Sequence, residues 1–177
     1  MRTYVFILTM AATGVLGMAD MRADSATAVI TISATVRRNC LISTTPVAYG
    51  AYDPVGSNAT APLDATGTVV LTCTRGTTAS IGLDGGTNSQ GPVRRMGSSG
   101  GADAAIGGPP SRSYLTYELY KDNSRTNVWS DNGDGMMTVP AAPSKNPRSF
   151  TVYGRVAGAQ DVPVGSYADS VVATVNF

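Results

Sequence analysis

Two cysteines, a single glutamate and no histidine define what chemistry this 177-residue chain can perform. Without histidine there is no Ser-His-Asp type triad, no imidazole metal site and no general base of the commonest kind. Two cysteines cannot make a four-cysteine zinc site, and no C-x-x-C redox motif is present. A hydrolase would have to work with carboxylates alone, as glycosidases do. The one glutamate, Glu118, lies in an alternating stretch, and the aspartates stand mostly in turn contexts. Asp131-Asn132-Gly133-Asp134-Gly135 faintly suggests a calcium loop, but it lacks the ligand spacing and the closing glutamate, so it reads as a tight turn. Leu83-Asp84-Gly85-Gly86-Thr87 lacks the lysine and helix start of a phosphate loop. Arg94-Arg95 is too small a basic step for nucleic acid and reads as a solvated sheet edge. Tyr114, Tyr117, Tyr120 and Trp129 suit either a sugar-binding surface or, better, sheet packing. The sequence therefore points away from enzymes and expects no cofactor and no metal. With 13 Lys plus Arg against 12 Asp plus Glu, it also expects no nucleic-acid partner.

The cysteines acquire meaning from the first segment. Arg2 precedes an uncharged, mostly apolar run from Tyr4 to Met18, and Asp20, Arg22 and Asp24 follow at once. The run is shorter than the ~20 residues of a spanning helix and reads as a secretory signal peptide. Residues 1–19 are its expected extent, with cleavage after Ala19 preferred to Ala28. No later stretch is long and apolar enough to span a membrane. In an exported chain Cys40 and Cys73 read most simply as one disulfide, two free thiols being the alternative.

The remaining chain reads as strands. Residues 26–36 alternate, with Ala26, Ala28, Ile30, Ile32, Ala34 and Val36 on one face and mostly Thr and Ser on the other. Further strands are expected over 66–74, 79–83, 114–121, 149–156 and 170–177, with a short edge strand near Val93 to Met96. Leu115, Tyr117 and Leu119 share a face, as do Val171, Ala173, Val175 and Phe177. Residues 85–112 hold eight Gly and three Pro and read as loop. No helical period of useful length follows Met18. Six or seven short strands with Gly/Pro turns imply an all-β sandwich.

Several segments carry a resemblance in their order and spacing. They are Tyr49-Gly50-Ala51-Tyr52-Asp53, Leu71-Thr72-Cys73-Thr74, Leu83-Asp84-Gly85-Gly86 and Leu115-Thr116-Tyr117-Glu118-Leu119-Tyr120-Lys121-Asp122. The strand around Val36 to Cys40, Arg95-Met96, Trp129, Tyr153-Gly154-Arg155-Val156, Gln160, Gly165-Ser166-Tyr167-Ala168-Asp169 and the last strand to Phe177 complete the set. Over about residues 30–177 the chain resembles the spore coat protein U domain family, which includes pilins of archaic, Csu-type chaperone–usher pili. Ser130-Asp131 departs from the glycine frequent in the family after Trp129.

The resemblance implies an incomplete immunoglobulin-like β-sandwich whose missing strand is supplied from outside. A periplasmic chaperone fills the groove first, and at the outer-membrane usher the N-terminal extension of the next subunit replaces it. The chain is then a secreted pilus subunit in the periplasm and later at the cell surface, with adhesion and biofilm roles. The alternative within the family is a soluble secreted spore-coat or surface protein that does not polymerise. On this reading residues 20–34 are the donor-strand segment and 35–177 the body. Ala26, Ala28, Ile30, Ile32 and Ala34 are the donor plugs. Val171, Ala173, Val175 and Phe177 form the groove wall and chaperone-contact strand.

Overall fold

The computed structural model describes residues 24–99 and 112–177. The signal-peptide reading, the start of the donor segment and residues 100–111 of the Gly-rich loop fall outside these residues. The chain divides into two units between Thr35 and Val36.

In the first unit, residues 24–35 are exposed and form no strand, and the same holds for residues 36–39 at the start of the second. The strand expected over 26–36 is therefore not formed. Alternation supplies a two-faced ribbon, but a ribbon needs a ladder partner before it becomes a strand. Val29, Ile30, Ile32 and Val36 stay 82–94% exposed.

The second unit is all-β, and the described residues contain no α-helix. Its strands are β1 (Cys40–Thr45), β2 (Leu63–Cys73), β3 (Ala79–Leu83), β4 (Arg94–Ser98), β5 (Tyr114–Tyr120), β6 (Met137–Val139), β7 (Arg148–Val156), β8 (Tyr167–Ala168) and β9 (Ala173–Asn176). Six form one antiparallel sheet in the order β1-β2-β7-β5-β4-β8, and three form a second in the order β6-β3-β9. β6 and β8, of three and two residues, are too short to show a period in the sequence. β9 is shorter than the expected 170–177, because Ser170 and Val172 bond the β3–β4 connection before the ladder to β3 begins.

Burial follows the alternation. Val69, Leu71 and Cys73 of β2, Leu115, Tyr117 and Leu119 of β5, and Val152 and Val156 of β7 face the core. Ile81, Val139 and Trp129 meet them from the other side. Trp129 is fully buried, and its indole N–H donates to the Ile81 carbonyl at 2.9 Å, so its one polar atom is satisfied. Cys40 and Cys73 are bonded, with Cα atoms 4.1 Å apart, at the first register pair of β1 and β2.

Arg94 corrects the reading of Arg94-Arg95 as a solvated edge. β4 lies between β5 and β8, and Arg94 is 3% exposed. Its guanidinium donates to the carbonyls of Leu83, Asp84 and Trp129 and pairs with Glu118. The buried charge is thus fully bonded, which is the condition for keeping it inside. Arg95 does face outward, stacked 4.1 Å from the centre of the Tyr114 ring.

Candidate functional site

The two sheets do not close around their common core. β1 and β8 end the larger sheet, and β9 ends the smaller. An open cleft of about 950 Å³ lies in this gap. Its floor is the inner face of the larger sheet: Val69, Leu115, Tyr117, Leu119, Val152 and Val156. Val47 and Tyr49, from the segment after β1, line one side. Val162, Val171 and Ala173, before and within β9, line the other. The floor side chains are themselves buried, and the apolar surface that the cleft shows to solvent comes from half-buried residues around it, among them Val47, Tyr49, Met96, Val162, Val171 and Ala173.

The floor is apolar because period-two strands place every second residue inward. Gly154 of β7 makes room for the cleft-lining Tyr49 and Val47. A Cβ there would stand 2.3 Å from the Tyr49 hydroxyl and 2.8 Å from Val47, so the bare backbone lets the Tyr49 ring lie on the sheet. Tyr49 meets Tyr117 edge-on, with ring centres 6.4 Å apart. The Tyr49 hydroxyl is buried without a hydrogen-bond partner. Burial pushes its ionisation far above the ordinary phenol range, so it stays protonated at any physiological pH. Tyr117 is held up likewise, first by burial and then by its bond to Asp169. Neither phenol is poised to act as a base or nucleophile. The cleft offers shape and apolar surface, which suits binding.

The structure distributes the residues singled out in the sequence as follows. Val171 and Ala173 line the cleft. Val175 is half-buried opposite Ile81 in the β3–β9 ladder, and Phe177, 48% exposed, lies by a separate depression beside Thr78, Ala79 and Val139. Ala26, Ala28, Ile30, Ile32 and Ala34 are all exposed. Of the aromatic set, Tyr117 and Trp129 face inward while Tyr114 and Tyr120 are half-buried on the outer face, so the four do not form one surface. Asp131–Gly135 makes a tight turn with a 3-10 segment over Gly133–Gly135. The sequence reading missed Val47, Tyr49 and Val162 as cleft residues. They lie outside regular strands, where period two gives no phase.

Comparison with known proteins places this architecture. The chain matches the Spore Coat Protein U domain over residues 26–174. It is 32% identical over 180 residues to "Protein U" of Myxococcus xanthus, covering 94% of this chain and 93% of that protein. The chain belongs to the spore coat protein U domain family. Its fold is similar to that of a chain in the crystal structure of the CsuC–CsuE chaperone–tip adhesion subunit pre-assembly complex from archaic chaperone–usher Csu pili of Acinetobacter baumannii. That likeness has a TM-score of 0.53 at 19% identity, over 81% of this chain and 41% of that one. Among the described residues no helix is long and apolar enough to cross a membrane.

Proposed function

We propose that this protein is a structural subunit of an extracellular fibre assembled by the chaperone–usher route. In this reading the cleft receives a strand from another molecule: first a periplasmic chaperone's, then the N-terminal segment of a neighbouring subunit at the outer-membrane usher. Residues 20–34 are the donated segment. The protein passes through the periplasm to the cell surface, where the fibre supports adhesion and biofilm formation. No step requires a catalytic residue or a cofactor.

The observation that carries the reading is an apolar cleft in an opened sandwich, together with an alternating apolar segment left exposed in the same chain. An inserted strand gains main-chain bonds from exposed sheet edges and register from alternate side chains. Because donor and acceptor are different surfaces, each contact is head-to-tail, and such contacts propagate as filaments when they do not close. The likeness to a chain of a pilus pre-assembly complex supports this assignment. Full-length likeness to Protein U favours, as a second reading, a secreted coat protein that stays unpolymerised.

Deletion of residues 20–34 separates them. Co-expressed with chaperone and usher, the deleted subunit is expected to bind chaperone and to extend no fibre in electron micrographs. Fibres of normal length would overturn the donor assignment, and absence of fibres from the intact protein would favour the coat-protein reading.

A further inference from the structure

The floor and one wall of the cleft are tied by a side-chain bridge. Tyr117 rises from β5 in the floor, and its hydroxyl donates to Asp169 Oδ2 at 2.7 Å. Asp169 stands between β8 and β9, where the chain crosses from the larger sheet to the smaller. The β3–β4 connection crosses beside it in the opposite sense. There the regular ladder breaks, and carboxylates take the place of peptide carbonyls. Asp169 Oδ1 accepts from the backbone N–H of Asn88 at 3.0 Å and from its side-chain amide at 2.9 Å. Asp84 Oδ1 accepts from Val172 N–H at 2.9 Å, and Thr87 N–H donates to the Ser170 carbonyl at 3.0 Å.

Space around the bridge is reserved for it. Gly86 has φ +84°, and a Cβ at that position would stand 2.0 Å from Asp169 Oδ2 and 3.2 Å from the Tyr117 hydroxyl. Val47, Tyr49, Val162, Val171 and Ala173 on the walls are only half-buried, and in water their remaining apolar surface is driven to close over the floor. A wall fastened to the floor through a rigid aromatic ring resists that closure.

We propose that Tyr117 and Asp169 are positioning residues, a strut that sets the width of the cleft and keeps it open between occupants. That the occupant is a strand rests on the function proposed above. Without the strut the walls approach, only a fraction of molecules present an open cleft, and binding is slowed by that fraction.

The test uses the full chain carrying Ile30→Asp and Ile32→Asp, so that its own tail does not compete, and a fluorescent peptide of residues 24–36. Association and dissociation rates are read by anisotropy, and folding of each variant is checked by the near-ultraviolet signal of Trp129. Tyr117→Phe keeps the ring and removes the hydroxyl, and Asp169→Ala removes the acceptor. Each is expected to slow association about tenfold, as for a cleft open one-tenth of the time. The Tyr117→Phe/Asp169→Ala double variant is expected to be no slower than Asp169→Ala alone. Asp169→Asn, whose amide can still bond the hydroxyl oxygen, is expected to recover part of the rate. Unchanged association in folded Tyr117→Phe and Asp169→Asn, with peptide bound normally, overturns the strut and leaves the proposed function standing. No peptide binding by the parent overturns both.

Discussion

Truncating Ile30 and Ile32 to alanine should weaken capture of the N-terminal segment far more than truncating Thr31 between them. The two isoleucines are 83% and 90% exposed in the free chain, so nearly all their apolar surface remains to be buried on docking. Full burial of one such side chain contributes about 1.5–3 kcal/mol. Removing it from a lining that cannot collapse into the vacated space costs about 2 kcal/mol or more. Each truncation is therefore expected to raise Kd about 30-fold, and the pair about a thousandfold, since 1.4 kcal/mol is one decade. Ile30 and Ile32 share a face, so a departure of the pair from strict additivity by about 0.5 kcal/mol or more is expected. Thr31 belongs to the opposite face, and Thr31→Ala is expected to change Kd by no more than about twofold, the range of ordinary surface substitutions. Anisotropy titration of labelled 24–36 peptides against the full chain with a disabled tail measures all four. Equal losses for Ile30, Thr31 and Ile32 would refute one-faced insertion, and with it the assignment of the plugs.

Three further outcomes follow from the body of the fold. Cys40→Ser/Cys73→Ser opens a link spanning 33 residues; loop entropy sets the loss at about 3–4 kcal/mol, roughly 10 °C in melting temperature, and an unchanged melt would contradict it. Asp64 accepts both bonds of the Arg155 guanidinium, which hold its carboxyl below the usual range. This stabilisation is complete above about pH 4 and is lost as pH falls through the lowered folded value. The pair is about one-third exposed, so Asp64→Asn should cost only about 0.2–1 kcal/mol at pH 7. Thermal melts of variant and parent should converge in acid. Arg94→Ala takes the guanidinium from the buried carbonyls of Leu83, Asp84 and Trp129 and from Glu118, which keeps its bond from the Leu119 N–H, and should cost about 3 kcal/mol in denaturant unfolding. Arg94→Lys should restore little of this, because an ammonium cannot reproduce the fork.

The inner faces of β2, β5 and β7 were legible because their hydrophobic residues keep strict period two: Val69-Leu71-Cys73 and Leu115-Tyr117-Leu119 face the core as the alternation requires. The disulfide was legible from the cysteine count once the first segment is read as an export signal. Arg94 was not, because two adjacent arginines read as solvent-facing. The phase shared with Met96, two residues on and lining the cleft, was the available signal that Arg94 faces inward. The wall opposite the floor was only partly legible. Val171 and Ala173 lie on it, but Val47, Tyr49 and Val162 come from irregular segments placed by long-range hydrogen bonds such as Gln160 N–H to the Tyr52 hydroxyl. The fate of residues 26–36 exceeds what alternation alone decides. Their pattern specifies a strand but not which molecule supplies its sheet.

The central claim is that this segment enters the cleft of another copy. Incorporation of a photo-crosslinking residue at position 32, in an assembled mixture of isotopically light and heavy chains, reads this directly by mass spectrometry. Heavy–light adducts on floor and wall residues such as Leu115, Val152 and Val171 are predicted. Adducts confined to the same chain, or falling elsewhere on the neighbour, would contradict it.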